Sequence, residues 1–228
     1  MGGTVEPHVF AEPHEGHFWS AFLHSLVMVG ATEIGDRTFF IAAILSISKK
    51  AIHVFAGCWG ALATMTILSA AIGLLVPTLL SPTLSHWGAI LLFVFFGGSA
   101  IKDALDMYAK GEGVGVSEEL AETEKELKED KTLKQKKSVL QVVGAIFAMT
   151  FLAEWGDKSQ VSTVAMGAAR DFGGIVVGAI LGHAVCTSVA IAGGKMLAKH
   201  ISERQVTLGS GFVFLGFALY AVWYGPEE

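Results

Sequence analysis

The sequence predicts an all-α polytopic membrane protein with six transmembrane helices, arranged as two inverted three-helix repeats. Three observations carry this expectation. Of 228 residues, 52% are hydrophobic and 16% charged, far more apolar than a soluble domain of this size. Long runs nearly free of charge alternate with short charged joints, and runs of about 20 apolar residues mark membrane helices. Finally, the chain repeats itself at a fixed offset, and each copy holds an odd number of runs.

Taken in order, a polar tail over 1–17 precedes apolar segments at 18–48, 51–77 and 85–106. The tail lacks a basic region ahead of an apolar core, so it does not read as a signal peptide. His8, His14 and His17, with Glu12 and Glu15, read as a solvated cluster. A linker over 107–137 contains SEELAETEKELKEDKTLKQKK. Its pairs Glu124/Lys128 and Lys125/Glu129 have helical i,i+4 spacing, which suits a solvated helix or flexible connection. Segments at 138–169, 173–198 and 205–224 follow, then a short tail over 225–228.

Adding 121 to a residue number maps Glu33 on Glu154, Gly35 on Gly156 and Asp36 on Asp157. The same register maps Gly57 on Gly178, Thr66 on Thr187, Gly73 on Gly194, Gly88 on Gly209 and Phe93 on Phe214. The repeats thus cover 18–106 and 138–224. Three spans per copy make the second enter the membrane from the opposite side, the inverted arrangement of many secondary transporters. Lys49, Lys50, the linker lysines, Lys199 and Arg204 gather on one side, and Arg170 stands on the other. By the positive-inside rule the linker is cytoplasmic and both termini lie across the membrane.

Small residues recur every four positions at Gly174, Gly178 and Gly182, and at Ala56, Gly60 and Thr64. Such stripes let helix backbones approach closely. Cys58 and Cys186 fall within apolar segments and read as small core residues rather than a disulfide or metal site. No basic patch interleaves with aromatics, so nucleic acid is not an expected partner.

The charge that remains inside the apolar segments is the functional signal. Phe18 to Ser48 is 31 residues; as one helix it would be roughly 46 Å long, against about 30 Å of hydrocarbon, so it must tilt or break. Gly35 and Gly156 are the natural places for a turn. Glu33, Asp36, Arg37 and Thr38 in one copy match Glu154, Asp157, Lys158 and Ser159 in the other, followed by Gln160. Each ionised group at mid-membrane costs roughly 2.5–3.5 kcal/mol even on an insertion scale. Six such groups imply that the two motifs meet and line one polar cavity.

Four carboxylates and two bases leave a formal charge of −2, which matches one divalent cation or two protons. Carboxylates, hydroxyls and an amide carbonyl are hard ligands suited to Ca²⁺, Mn²⁺ or Mg²⁺. Protons and metal then compete for the same oxygens, and competition at one alternately accessible site is the basis of antiport. Internal salt bridges from Arg37 and Lys158 would lock helices but leave two acids uncompensated. His183 has no counterpart, because position 62 is Leu, and it reads as a packing or hydrogen-bonding residue.

The motifs EIGDRT and EWGDKS, with FFIAAI after the first and FLAEWGDKSQ around the second, resemble the paired E-x-G-D-K/R-T/S motifs of the GDT family of cation/proton exchangers. The resemblance covers about residues 18–224. It implies cation binding by Glu33, Asp36, Glu154 and Asp157, with support from Thr38, Ser159 and Gln160. It implies a transporter rather than an enzyme, with Ca²⁺ or Mn²⁺ as substrate and no resident cofactor. The flanking segments look most like the Golgi branch, which implies metal moving from cytosol to lumen against protons, with luminal termini. A passive cation channel with the same acidic site is the alternative. An intramembrane aspartyl protease would need G-x-G-D where Glu33 and Glu154 stand, and a scaffold would need no buried negative surplus. The sequence leaves the oligomeric state open.

Overall fold

The computed structural model describes residues 15–111, 118–129, 138–198 and 202–225, and it is helical with no strand among them. The expected solvated tail, including His8, His14 and Glu12, lies outside the described residues, as do Lys199 and most of the linker's basic end. Nine helices are described: α1 (Glu15–Glu33), α2 (Arg37–Ser48), α3 (Ala51–Leu79), α4 (Pro82–Lys110), α5 (Glu118–Glu129), α6 (Val139–Glu154), α7 (Lys158–Ala169), α8 (Phe172–Ala198) and α9 (Glu203–Tyr224).

The first long segment breaks where the glycine stands. Gly35 takes φ +82° and Gly156 takes φ +84°, left-handed backbone that side chains with a Cβ rarely adopt. Each break is followed by an acid at the N-cap, Asp36 before α2 and Asp157 before α7. The starts of α2, α3 and α4 are Arg37, Ala51 and Pro82, and those of α7, α8 and α9 are Lys158, Phe172 and Glu203. Each pair is separated by the same 121 residues as the sequence repeat, so the two halves share their local structure as well as their motifs.

The helix contacts fall into matched sets. α1 packs on α8 as α6 packs on α3, and α2 packs on α8 as α7 packs on α3. α4 pairs with its own counterpart α9, and α3 with α8. The glycine stripe on α8 explains the closeness of its contact with α1. A Cβ on Gly178 would collide with the Phe22 carbonyl oxygen and the Ser25 hydroxyl, and one on Gly174 with the Phe18 carbonyl oxygen. The Trp59 indole N–H, on α3, donates to the Ile180 carbonyl on α8 at 3.1 Å.

Other contacts break the symmetry. α7 packs on α4, whereas α2, its counterpart, lies against the linker helix α5. The linker is therefore more than a solvated connection. Leu120 and Thr123 are buried against the body, and Leu127 packs on the cluster of Phe39, Phe40 and Ile41. The expected Glu124–Lys128 pair forms on its outer face at 3.0 Å. The inward positions Leu120, Thr123 and Leu127 recur at helical spacing, which gives the helix one face to dock.

Four helices, α3, α4, α8 and α9, are long and apolar enough to cross a membrane, and α6 with α7 makes a fifth if the pair, bent by 75°, is one span. The expected first span does not qualify as a single helix. Its break leaves α2 with 12 residues, while α1 carries Glu15, His17, His24 and Glu33. Burial is arranged for lipid: Leu79, Leu91, Phe95, Leu140, Leu152 and Trp223 are exposed, while Thr66, Ser69, Thr150, Ser162 and Thr187 are buried. An apolar exterior around a hydroxyl-rich interior suits a multi-pass membrane protein, where polar groups must satisfy one another. Cys58 and Cys186 are free and buried, as expected.

Candidate cation site

The chain stops being helical in the middle of the first apolar segment of each half, which places the motif residues at helix ends. α1 ends at Glu33 and α6 at Glu154, each at the partly negative terminus that favours cations. The turns have the same bonding. The Asp36 N–H donates to the Glu33 carbonyl at 3.2 Å and the Asp157 N–H to the Glu154 carbonyl at 3.1 Å. One turn further on, the Phe40 N–H donates to the Asp36 carbonyl at 3.1 Å and the Val161 N–H to the Asp157 carbonyl at 3.2 Å.

The side chains repeat the pattern. The Thr38 hydroxyl donates to Glu33 Oε2 at 3.1 Å, and the Ser159 hydroxyl donates to Glu154 Oε1 at 3.1 Å. Both glutamates are 2% exposed. The two halves bring them together: one carboxylate oxygen each from Glu33, Asp36 and Glu154 lies within 4.8 Å of the others. That spacing suits several oxygens sharing one hard cation.

Asp157 stands apart from this trio. Its Oδ2 accepts the Ser159 N–H at 3.0 Å, capping α7. Asp36 and Asp157 do share a cavity of about 360 Å³ with Lys158, Asp103 of α4 and Glu203 of α9. This vestibule is flanked by the last turns of α4 and the first turns of α9. A smaller cavity of about 10 Å³, lined by Glu154, Ser159, Thr163, Thr66, Ser69 and His183, lies on the Glu154 side. The Gln160 amide oxygen accepts the Gly156 N–H at 3.0 Å and so fastens the turn.

The bases turn outward. Arg37 pairs with Glu126 on α5, and Lys158 is exposed at the vestibule. Sequence reasoning discounted one inner residue. His183 of α8 is 4% exposed, and its Nδ1 lies 3.7 Å from Glu33 Oε1. Its lack of a repeat counterpart hid it. The register match between Thr66 and Thr187, both buried, was the available signal for the hydroxyl lining.

The profile of the family described as "Divalent cation/proton antiporter GDT1" matches residues 21–108 and 142–228, one stretch in each half. The chain is 40% identical over 227 residues to "GDT1-like protein 5" of Oryza sativa subsp. japonica, covering 90% of this chain and 95% of that protein. It is 43% identical over 215 residues to "GDT1-like protein 2, chloroplastic" of the same plant, covering 90% of this chain and 61% of that protein. It is 42% identical over 216 residues to "Protein PAM71-homolog, chloroplastic" of Arabidopsis thaliana, with 90% and 60% covered. No solved structure matches the chain. With both halves matched and a relative of nearly the same length at 40% identity, the chain belongs to the GDT1 family of divalent cation/proton antiporters, which are transporters and not enzymes.

Proposed function

We propose that this protein exchanges Ca²⁺ or Mn²⁺ for protons across an organelle membrane, moving metal from cytosol to lumen through one site built by Glu33, Asp36, Glu154 and Asp157. The observation that carries this reading is the convergence of Glu33, Asp36 and Glu154 where the broken helices of the two halves meet. In the proposed arrangement α1 with α2 forms one span and α6 with α7 another, giving six spans as two inverted repeats. The domain limits at 18–106 and 138–224 follow from it, with the linker on the cytoplasmic side.

The deprotonated carboxylates take the metal from the vestibule that reaches Asp36 and Asp157. That vestibule lies at the α4 and α9 ends nearest the linker, so it faces the cytosol in this topology. Thr38 and Ser159 hold the glutamates through their hydroxyl bonds, and Gln160 holds the turn. Arg37 pairs with Glu126 on α5 and Lys158 is exposed at the vestibule, so in this reading metal or protons balance the charge of the two buried glutamates. Rearrangement of the halves then exposes the site to the lumen, where protons displace the metal. The flanking segments favour the Golgi, while two of the relatives are named as chloroplastic; tagging the protein in its own cells distinguishes the two compartments.

Replacing Glu33 or Glu154 with Gln tests the site. Each change should abolish exchange while the protein still inserts. Wild-type exchange in both variants would overturn the assignment, and metal flux independent of a proton gradient would favour a channel.

A further inference from the structure

Two buried polar atoms in the core lack a hydrogen-bond partner and face each other: Glu33 Oε1 and His183 Nδ1. Their separation of 3.7 Å is too long for a hydrogen bond. A buried polar atom left unpaired is costly, so a pair of them facing each other calls for a third participant. Two ligands of one ion, each about 2.0–2.6 Å from it, stand roughly 3–5 Å apart, and this gap fits that range.

The position of His183 is not explained by packing. The equivalent residue in the first half is Leu62, which lines the same small cavity of about 10 Å³. Leucine therefore serves the helix–helix contact at that depth. The imidazole is the element that the first half lacks, and it also borders Glu154, Ser159 and Thr163.

We propose that His183 supplies a nitrogen ligand to the transported cation beside Glu33, and that this nitrogen favours Mn²⁺ over Ca²⁺. Ca²⁺ takes oxygen ligands, whereas a first-row transition ion also accepts imidazole nitrogen. The inference rests on the reading that Glu33 and Glu154 hold the cation.

The test uses the full chain in lipid nanodiscs with Mn²⁺ alone, read by electron spin echo envelope modulation. The bound ion should show coupling to a ¹⁴N nucleus, and ¹⁵N-histidine labelling should shift that signal. In His183→Asn the coupling should vanish. Mn²⁺ affinity should fall about tenfold or more while Ca²⁺ affinity changes less than about threefold, a ratio that an oxygen-for-nitrogen exchange produces. His183→Leu, which restores the residue of the other half, should lose the same preference. Mn²⁺ bound without nitrogen coupling in the wild-type protein would overturn the proposal, whether or not the variants fold. Equal loss of both metals in His183→Asn would also overturn it, since it would mark a structural role. Mn²⁺ binding that persists in Glu33→Gln and Glu154→Gln would remove the underlying site reading instead.

Discussion

Thr38→Val and Ser159→Ala should weaken metal binding by similar amounts. Each removes a hydroxyl that donates to a buried glutamate at 3.1 Å, Thr38 to Glu33 and Ser159 to Glu154. Valine keeps the shape of threonine, and alanine removes one atom from serine, so the packing changes little. A hydrogen bond to a charged group contributes about 1.5–3 kcal/mol, and the glutamates are too buried for bulk water to replace it. Loss of that hold on the carboxylate should weaken Mn²⁺ and Ca²⁺ binding by roughly 10- to 150-fold. Isothermal titration of the purified protein in nanodiscs at one fixed pH measures it, with thermal unfolding as the folding control. Unchanged affinity in both folded variants would refute the reasoning. A large loss in one and none in the other would refute the equivalence of the halves.

Three other outcomes are expected. Gly156→Ala should destabilise the protein by about 1–2 kcal/mol through left-handed backbone strain alone, because a Cβ there meets nothing within 4 Å; an unchanged thermal midpoint would contradict this. Gly178→Ala should destabilise by about 1–3 kcal/mol through overpacking of α8 against α1, whereas Gly98→Ala, where a Cβ meets nothing within 4 Å, should be neutral or stabilising; equal midpoints would contradict the close contact. Glu126→Ala removes an exposed ion pair with Arg37 and should shift stability by less than about 1 kcal/mol, while Leu120→Asp puts charge at a position 3% exposed and should release α5, read as faster hydrogen exchange over 118–129.

The sequence made the breaks legible, because glycine beside an acid in an overlong apolar run leaves few other solutions. Gly35 and Gly156 adopt the left-handed turns, and the acids beside them converge. It also showed the register of the halves, since local bonding depends on residues near in the chain. The rest depended on neighbours distant in the chain. Arg37 sits one turn from Glu33, and local spacing alone suggests that they pair. Its actual partner, Glu126, is 89 residues away on a helix whose apolar face is thin amid its charges. Asp157 was expected among the inner acids, but it caps α7, a local bond that competes with the shared cluster. His183 stood outside the repeat, so symmetry gave no sign of its place beside Glu33.

Coupled exchange is tested most directly by uptake into proteoliposomes with an imposed pH gradient, following internal pH and Mn²⁺ or Ca²⁺ together. An acidic interior should drive metal in, with protons leaving as it enters. Metal entry that is indifferent to the pH gradient, with no accompanying proton movement, would contradict it.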